Sequence, residues 1–192
     1  MGLREQKKIQ SRKQIMAAAV KQFDRHGYSE TSIADIMNAA GLGVGTFYNY
    51  FTSKESLLFA LLECIEDELI EIAKREGHSP LSALKKINER TAQLLDENKF
   101  VLPLFLSASR HSDRPELWKK RSQPHFRLMF EEIIERGQSS GQIRADVPSA
   151  LIAEMFHSVY HSAALSIMPI PFQTNVQLKV QLLIDGIKLD RS

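Results

Sequence analysis

The chain has 192 residues, 43% of them hydrophobic and 25% charged, and a formal net charge of +2, a balance that excludes a disordered polyelectrolyte. Its length suits one full-sized domain or a small domain fused to a larger one. The single cysteine, Cys64, excludes an internal disulfide framework, and the apolar run Ile15 to Val20 is too short for a signal-peptide core or a membrane span, so a soluble cytoplasmic chain is expected.

The charge is unevenly spread. Residues 1–54 hold eight Lys/Arg (Arg4, Lys7, Lys8, Arg12, Lys13, Lys21, Arg25, Lys54) against four acids (Glu5, Asp24, Glu30, Asp35), a net +4 that leaves −2 for the remainder. A basic head on a mildly acidic body is expected where one end meets a polyanion, although a basic N-terminus also arises without one.

Apolar spacing predicts helices throughout. Met16, Ala19, Val20 and Phe23 fall at i, i+3, i+4, i+7, which predicts a first helix over 6–26 that stops at Gly27. Ile33, Ile36, Met37 and Ala40 repeat the spacing over a shorter second helix; Thr31 or Ser32 can cap it, Ser32-x-x-Asp35 approximates a capping box, and Gly41 ends it. A third helix over 43–51 follows. Ser53 then caps a long fourth helix, striped by Leu57, Leu58, Leu61, Ile65, Leu69 and Ile72, that ends at Gly77. Five more are expected: one opened by Ser79-Pro80, then 99–110, 115–137, a stretch from Pro148 to before Pro169, and 174–189. Ile143, Ala145 and Val147 alternate as a strand would, but so short a stretch without a partner is read as a turn. The fold expected is all-α, about nine helices, with a three-helix helix-turn-helix head over 8–68 (motif about 32–51) and a larger helical body over 69–192.

The third helix is poor helix-forming material. Gly43-Val44-Gly45-Thr46 weakens it, yet two glycines and a small hydroxyl let its N-terminus approach another backbone with N–H groups outward, a natural seat for phosphate. A helical wheel turns Tyr48 and Asn49 away from Leu42, Phe47 and Phe51, which plug the head. Lys54 opposes the dipole at the start of the fourth helix, so an anionic partner is expected beside it.

These residues carry a resemblance. Gly27-Tyr28, Thr31-Ser32-Ile33, Ile36, Ala40-Gly41-Leu42, Gly45-Thr46-Phe47-Tyr48, Tyr50-Phe51 and Ser53-Lys54-Glu55, preceded by Ile15, Ala18, Ala19 and Phe23, resemble the head of the tetracycline-repressor (TetR) family over about residues 9–62. The resemblance implies an all-α homodimer that binds double-stranded, pseudopalindromic operator DNA, with a body that answers to a small-molecule effector and no cofactor. It places Thr31, Gly45, Thr46, Tyr48 and Lys54 on the phosphate backbone, Ser32 beside them at the start of the second helix, and Gly43, Val44 and Asn49 near base edges. Three positions depart from the family pattern. Gly43 stands where serine is frequent, Val44 where a polar residue is, and Met37 where alanine is, so the sequence-reading chemistry is thin.

Beyond residue 62 the resemblance is limited to helix count and the ending Leu182-Leu183-Ile184-Asp185-Gly186. It implies a dimer interface on the last two long helices. Val176, Val180, Leu183, Ile184 and Ile187 form a stripe on one, and small Ser158, Ser162 and Ser166 lie along the other; an internal core stripe would look the same. Phe100, Leu104, Phe105, Trp118, Phe126, Met129, Phe130, Met155, Phe156, Tyr160 and Met168 can line a mostly apolar effector pocket or form plain core. His125, His157, Tyr160 and His161 are its candidate polar handles, so an apolar or amphipathic ligand is expected. Glu154, His157 and His161 share one helical face with the i, i+4 histidine spacing that can clasp a metal, which leaves a metal-dependent enzyme as an alternative. No glutamate lies between the histidines in the zinc-protease pattern, no metal is expected, and the chain is read as a regulator, not an enzyme.

Overall fold

The computed structural model describes residues 2–98, 100–101 and 125–189, with side chains at all of them but 3 and 125–127. Within these the fold is all-α: α1 (Leu3–His26), α2 (Ile33–Ala39), α3 (Val44–Phe47), α4 (Lys54–Arg75), α5 (Pro80–Glu97), α6 (His125–Ser139), α7 (Ser149–Ala164) and α8 (Phe172–Ile187). Apart from Phe100 and Val101, the helix expected over 99–110 lies outside the described residues, as does the start of that expected over 115–137. The chain divides into two compact units, Met1–Ile65 with Asn98–Phe100, and Glu66–Glu97 with Val101–Ser192.

In the first unit, α1 stops where Gly27 adopts φ +81° and donates its N–H to the Phe23 carbonyl at 2.8 Å. α2 opens on a complete capping box. The Ser32 hydroxyl accepts from Asp35 N (3.1 Å) and the Asp35 carboxylate accepts from Ser32 N (2.9 Å), which stabilises a seven-residue helix by about 1 kcal/mol. It closes with Gly41 at φ +67°, Leu42 N bonded to Met37 O (3.0 Å) and Gly41 N to Asn38 O (3.1 Å), the pairing of a Schellman turn. That turn redirects the chain into α3. Ile15, Ala19, Phe23, Ile36, Met37, Phe47, Leu57 and Leu58 are buried as the unit's core. At the start of α4, Ser53 and Ser56 exchange side-chain-to-backbone bonds at 3.0 Å each, a capping box with serine in the place of the usual glutamate.

The helix expected over 43–51 is α-helical only from Val44 to Phe47; tight turns then carry Tyr50 N and Phe51 N back to Phe47 O (2.9 and 3.0 Å). Two glycines and the lack of an apolar outer face leave little to extend it.

In the second unit α5 packs on α6 and α8, α6 on α7, and α7 on α8. Leu84, Ile87, Phe130, Ile133, Ile134, Ile152, Phe156, Tyr160, Val176 and Val180 fill the space between them. Ile143 is buried against Gly137, where any side chain on Gly137 would overlap it. Ile143 also forms an isolated antiparallel bridge with Lys188, while the residues after it turn, as the sequence suggests for 143–147.

Candidate nucleic-acid interface

Gly43, the N-cap of α3, has no side chain to cap it, so α3 begins with backbone N–H groups that no side chain satisfies. Phe47 is buried and anchors the helix. Around it Gly43, Val44, Gly45, Tyr48 and Asn49 are exposed and Thr46 half-buried. The Tyr48 ring stands edge-on to Phe47 at 5.5 Å and is 60% exposed. A methyl group on Gly45 would meet nothing within 4 Å, and neither Gly43 nor Gly45 has a positive φ. Neither backbone strain nor packing inside the chain therefore requires the glycines. They are costly to helix stability, and the surface they leave suits a partner's backbone approaching closely.

Three of the residues expected on this surface are occupied elsewhere. Thr31 is only 2% exposed, and its hydroxyl lies within hydrogen-bond distance of Gly27 O (2.8 Å) and Gln22 O (3.2 Å), so its side chain ties the start of α2 to α1. The Ser32 hydroxyl is exposed but committed to the capping box, donating to the Asp35 carboxylate at 2.6 Å. The Lys54 ammonium donates to Tyr28 O (2.7 Å), Ser29 O (3.1 Å) and Thr31 O (2.7 Å). All three of its hydrogens are thus used inside the unit. It also lies 4.5 Å from the centroid of the Tyr28 ring. Burial holds the Lys54 amine below the ordinary lysine range, with Glu30 opposing the effect. Burial raises the Tyr28 phenol, and the charge of Glu55 adds to it. One Glu55 oxygen is buried without a hydrogen-bond partner among the described residues. Lys54 thus corrects the reading of a free charge: it clamps the start of α4 to the α1–α2 turn. No side-chain pattern marks that role, because its acceptors are backbone carbonyls 23 to 26 residues away.

The residues expected to line an effector pocket separate. Met129, Phe130, Phe156 and Tyr160 are buried in the second unit, with Phe130 stacked on Phe156 at 5.7 Å. The Tyr160 hydroxyl donates to Asn88 Oδ1 (2.6 Å), and burial pushes its pKa upward. Met155 and Met168 point to the surface instead, because they fall on the outer side of α7 and in the segment after it. Phe100 belongs to the first unit, its ring 5.2 Å from Phe23. Leu104, Phe105 and Trp118, and the side chains of His125 and Phe126, lie outside the described residues. His157 and His161 are half-buried. Burial holds the His157 imidazole below its usual range, His161 adds to this, and Glu154 opposes it. Among the described residues no three His, Cys, Asp or Glu side chains group to hold a metal ion, Glu154, His157 and His161 included.

The α8 stripe expected to face a partner faces inward. Val176, Val180, Ile184 and Ile187 are buried within the chain itself and Leu183 is half-buried, because α5 and α7 cover that side. The opposite side of α8 exposes Leu178 and Leu182, Leu189 is exposed just beyond its end, and the outer side of α7 exposes Leu151, Met155, Ser158 and Ser162. Ser166 is half-buried; in the segment that follows, Ile167 is 100% exposed. Among the described residues no helix is long and apolar enough to cross a membrane.

An all-helical chain whose first unit turns a short, glycine-started helix outward from a capped partner helix defines a helix-turn-helix DNA-binding regulator. Residues 15–61 match the family model described as bacterial regulatory proteins, tetR family. The uncharacterized HTH-type transcriptional regulator YvdT of Bacillus subtilis is 25% identical over 153 residues, 78% of each chain. SmeT, the repressor of the Stenotrophomonas maltophilia multidrug efflux pump SmeDEF, shares the fold with a TM-score of 0.73 at 19% identity, over 93% of this chain and 91% of that one. FadR of Bacillus subtilis, solved in complex with stearoyl-CoA, does so with a TM-score of 0.70 at 20% identity, over 91% and 98%. Residues 15–61 thus form a DNA-binding region of the tetR type, and the rest of the chain resembles such regulators in fold.

Proposed function

We propose that this regulator is a cytoplasmic repressor that grips a pseudopalindromic operator as a homodimer and is released by a small apolar or amphipathic molecule. The observation that carries the DNA contact is the outward α3, whose exposed Tyr48 and Asn49 and unfilled space at Gly45 leave a backbone-close, hydrogen-bonding surface free. Gly45, Thr46 and Tyr48 would hold phosphates, and Gly43, Val44 and Asn49 would face base edges. The exposed leucines of α7 and α8 support a dimer. An apolar stripe on each of two adjacent helices is the surface a second copy would cover with its own. Such a dimer would present two α3 helices roughly 34–36 Å apart to successive turns of the major groove.

Release needs a ligand that favours a dimer geometry with another α3 spacing, a coupling of about 1–3 kcal/mol in typical cases. The 22 residues of α4, divided between the two units, are the candidate lever. Aromatic and thioether side chains in the second unit, and the stearoyl-CoA held by FadR, support an apolar or amphipathic effector. The test is selection of genomic DNA fragments by the purified chain, followed by fluorescence anisotropy on the fragments enriched. Recovery of fragments with paired half-sites about ten base pairs apart is expected. Failure to enrich any fragment over random DNA would overturn the proposal.

A further inference from the structure

All of the head's net positive charge lies on one unpacked stretch of helix. Residues 1–13 hold Arg4, Lys7, Lys8, Arg12 and Lys13 against Glu5, a net +4; residues 14–54 hold Lys21, Arg25 and Lys54 against Asp24, Glu30 and Asp35, a net zero. Of the latter cations, Lys54 is spent on carbonyls inside the unit. Residues 14–54 are therefore electrically neutral, and the helix-turn-helix motif within them carries no Lys or Arg, a poor match for a polyanion whose affinity is mainly electrostatic.

α1 begins at Leu3, but the first buried one among its described side chains is Ile15. The twelve residues before Ile15 run about 18 Å at 1.5 Å per residue, rich in Arg, Lys, Gln and Glu, which favour helix without needing a core. Within this overhang Arg4, Lys7, Lys8 and Arg12 are exposed, and among the described residues no acid pairs with them. Their spacing puts them on the flank that continues as Ile15, Ala18, Ala19 and Phe23, the flank packed into the head. The cationic stripe thus prolongs the packing face past the point where protein covers it. Arg12 marks its direction, with the guanidinium carbon 5.4 Å from the centroid of Phe51, just after α3.

We propose that the first three turns of α1 are a rigid cationic arm that lies along the phosphate backbone beside the site met by α3 and supplies most of the salt-dependent affinity for duplex DNA. This rests on the DNA-binding reading above. It deepens that reading by separating the two tasks, α3 meeting the groove and α1 the phosphates.

The test is anisotropy of the full chain on a labelled 30-base-pair mixed-sequence duplex between 50 and 200 mM salt, for the unaltered chain, for the combined Arg4→Gln, Lys7→Gln, Lys8→Gln and Arg12→Gln variant, and for Lys21→Gln. Neutralising the four arm cations should flatten the slope of log K against log salt by about three to four units per subunit at ~0.9 per phosphate, with the melting temperature unchanged. Lys21→Gln should alter the slope by less than one unit. A combined variant whose slope matches that of the unaltered chain, or a Lys21→Gln effect as large as the whole arm's, overturns this inference alone. An unaltered chain that binds no duplex at any salt overturns the DNA-binding reading and the arm together. Circular dichroism of the combined variant guards against unfolding. Should that variant misfold, single Lys7→Gln and Lys8→Gln variants decide the same question: each is expected to lose about one unit of slope, and no loss from either overturns the arm.

Discussion

Lys54 meets Tyr28 twice: its ammonium donates to the Tyr28 carbonyl at 2.7 Å and lies 4.5 Å from the centroid of the Tyr28 ring. With the carbonyls of Ser29 and Thr31 completing its shell, a residue spaced like a phosphate contact acts as a clamp. Lys54→Met keeps the aliphatic stem and removes the clamp. It should destabilise the chain by about 1.5–3 kcal/mol, the range for hydrogen bonds to a charged group, and lower the melting temperature by several degrees. The salt slope of DNA binding should stay as it is. A slope flattened by about one unit at unchanged stability would restore the phosphate-contact reading.

Gly45→Ala separates folding from binding by the sign of its two effects. The position has an ordinary φ and open space where a Cβ would sit, so alanine should stabilise the chain by up to about 1 kcal/mol. The added methyl would keep a DNA backbone from closing on the start of α3, so affinity should fall at least tenfold. Thermal melting and anisotropy on one preparation check both; a variant that is more stable and binds as well would show that Gly45 has no part in the interface.

The two sides of α8 offer a matched pair. Leu182 is 73% exposed and Val180 is buried. Leu182→Glu should leave the fold intact and convert dimers to monomers in sedimentation at micromolar concentration, whereas Val180→Glu should unfold the second unit by burying an unpaired charge. A Leu182→Glu chain that still sediments as a dimer would place the interface elsewhere.

His157 provides a pH dependence. Its folded pKa lies below the usual histidine value because of burial and His161, with Glu154 opposing. The unfolded chain therefore takes up a proton first as pH falls below about 6.5, so the contribution of His157 to stability is present above that value and is lost as pH falls through the folded pKa. Urea midpoints measured between pH 7.5 and 5.5 should drop less for His157→Gln than for the unaltered chain; parallel curves would contradict the assignment.

Local chemistry made much of the head legible. Ser32 with Asp35, Gly41 and the spacing of Ile36, Met37 and Phe47 each specify a cap, a turn or a buried side without distant help. Long-range pairing hid the rest. Lys54 finds acceptors that carry no side-chain signature, and Thr31 is buried by contacts across the α1–α2 turn. On α8 two apolar stripes coexist, Val176-Val180-Ile184 and Leu178-Leu182, and only the helices packed around them decide which is core. Phe100 is aromatic in any setting; its place against Phe23 depends on where the chain returns after α5.

Contact between the exposed side of α3 and DNA can be read directly by site-specific photocrosslinking. A benzophenone side chain would replace Asn49 on the turn after α3, or Leu128 on the exposed surface of α6, and the chain would be irradiated with a labelled duplex from the genomic selection. Crosslinks from position 49 that vanish with unlabelled competitor, and none from position 128, are predicted. Equal crosslinking from both positions, or none from 49 while the complex persists, would contradict the account.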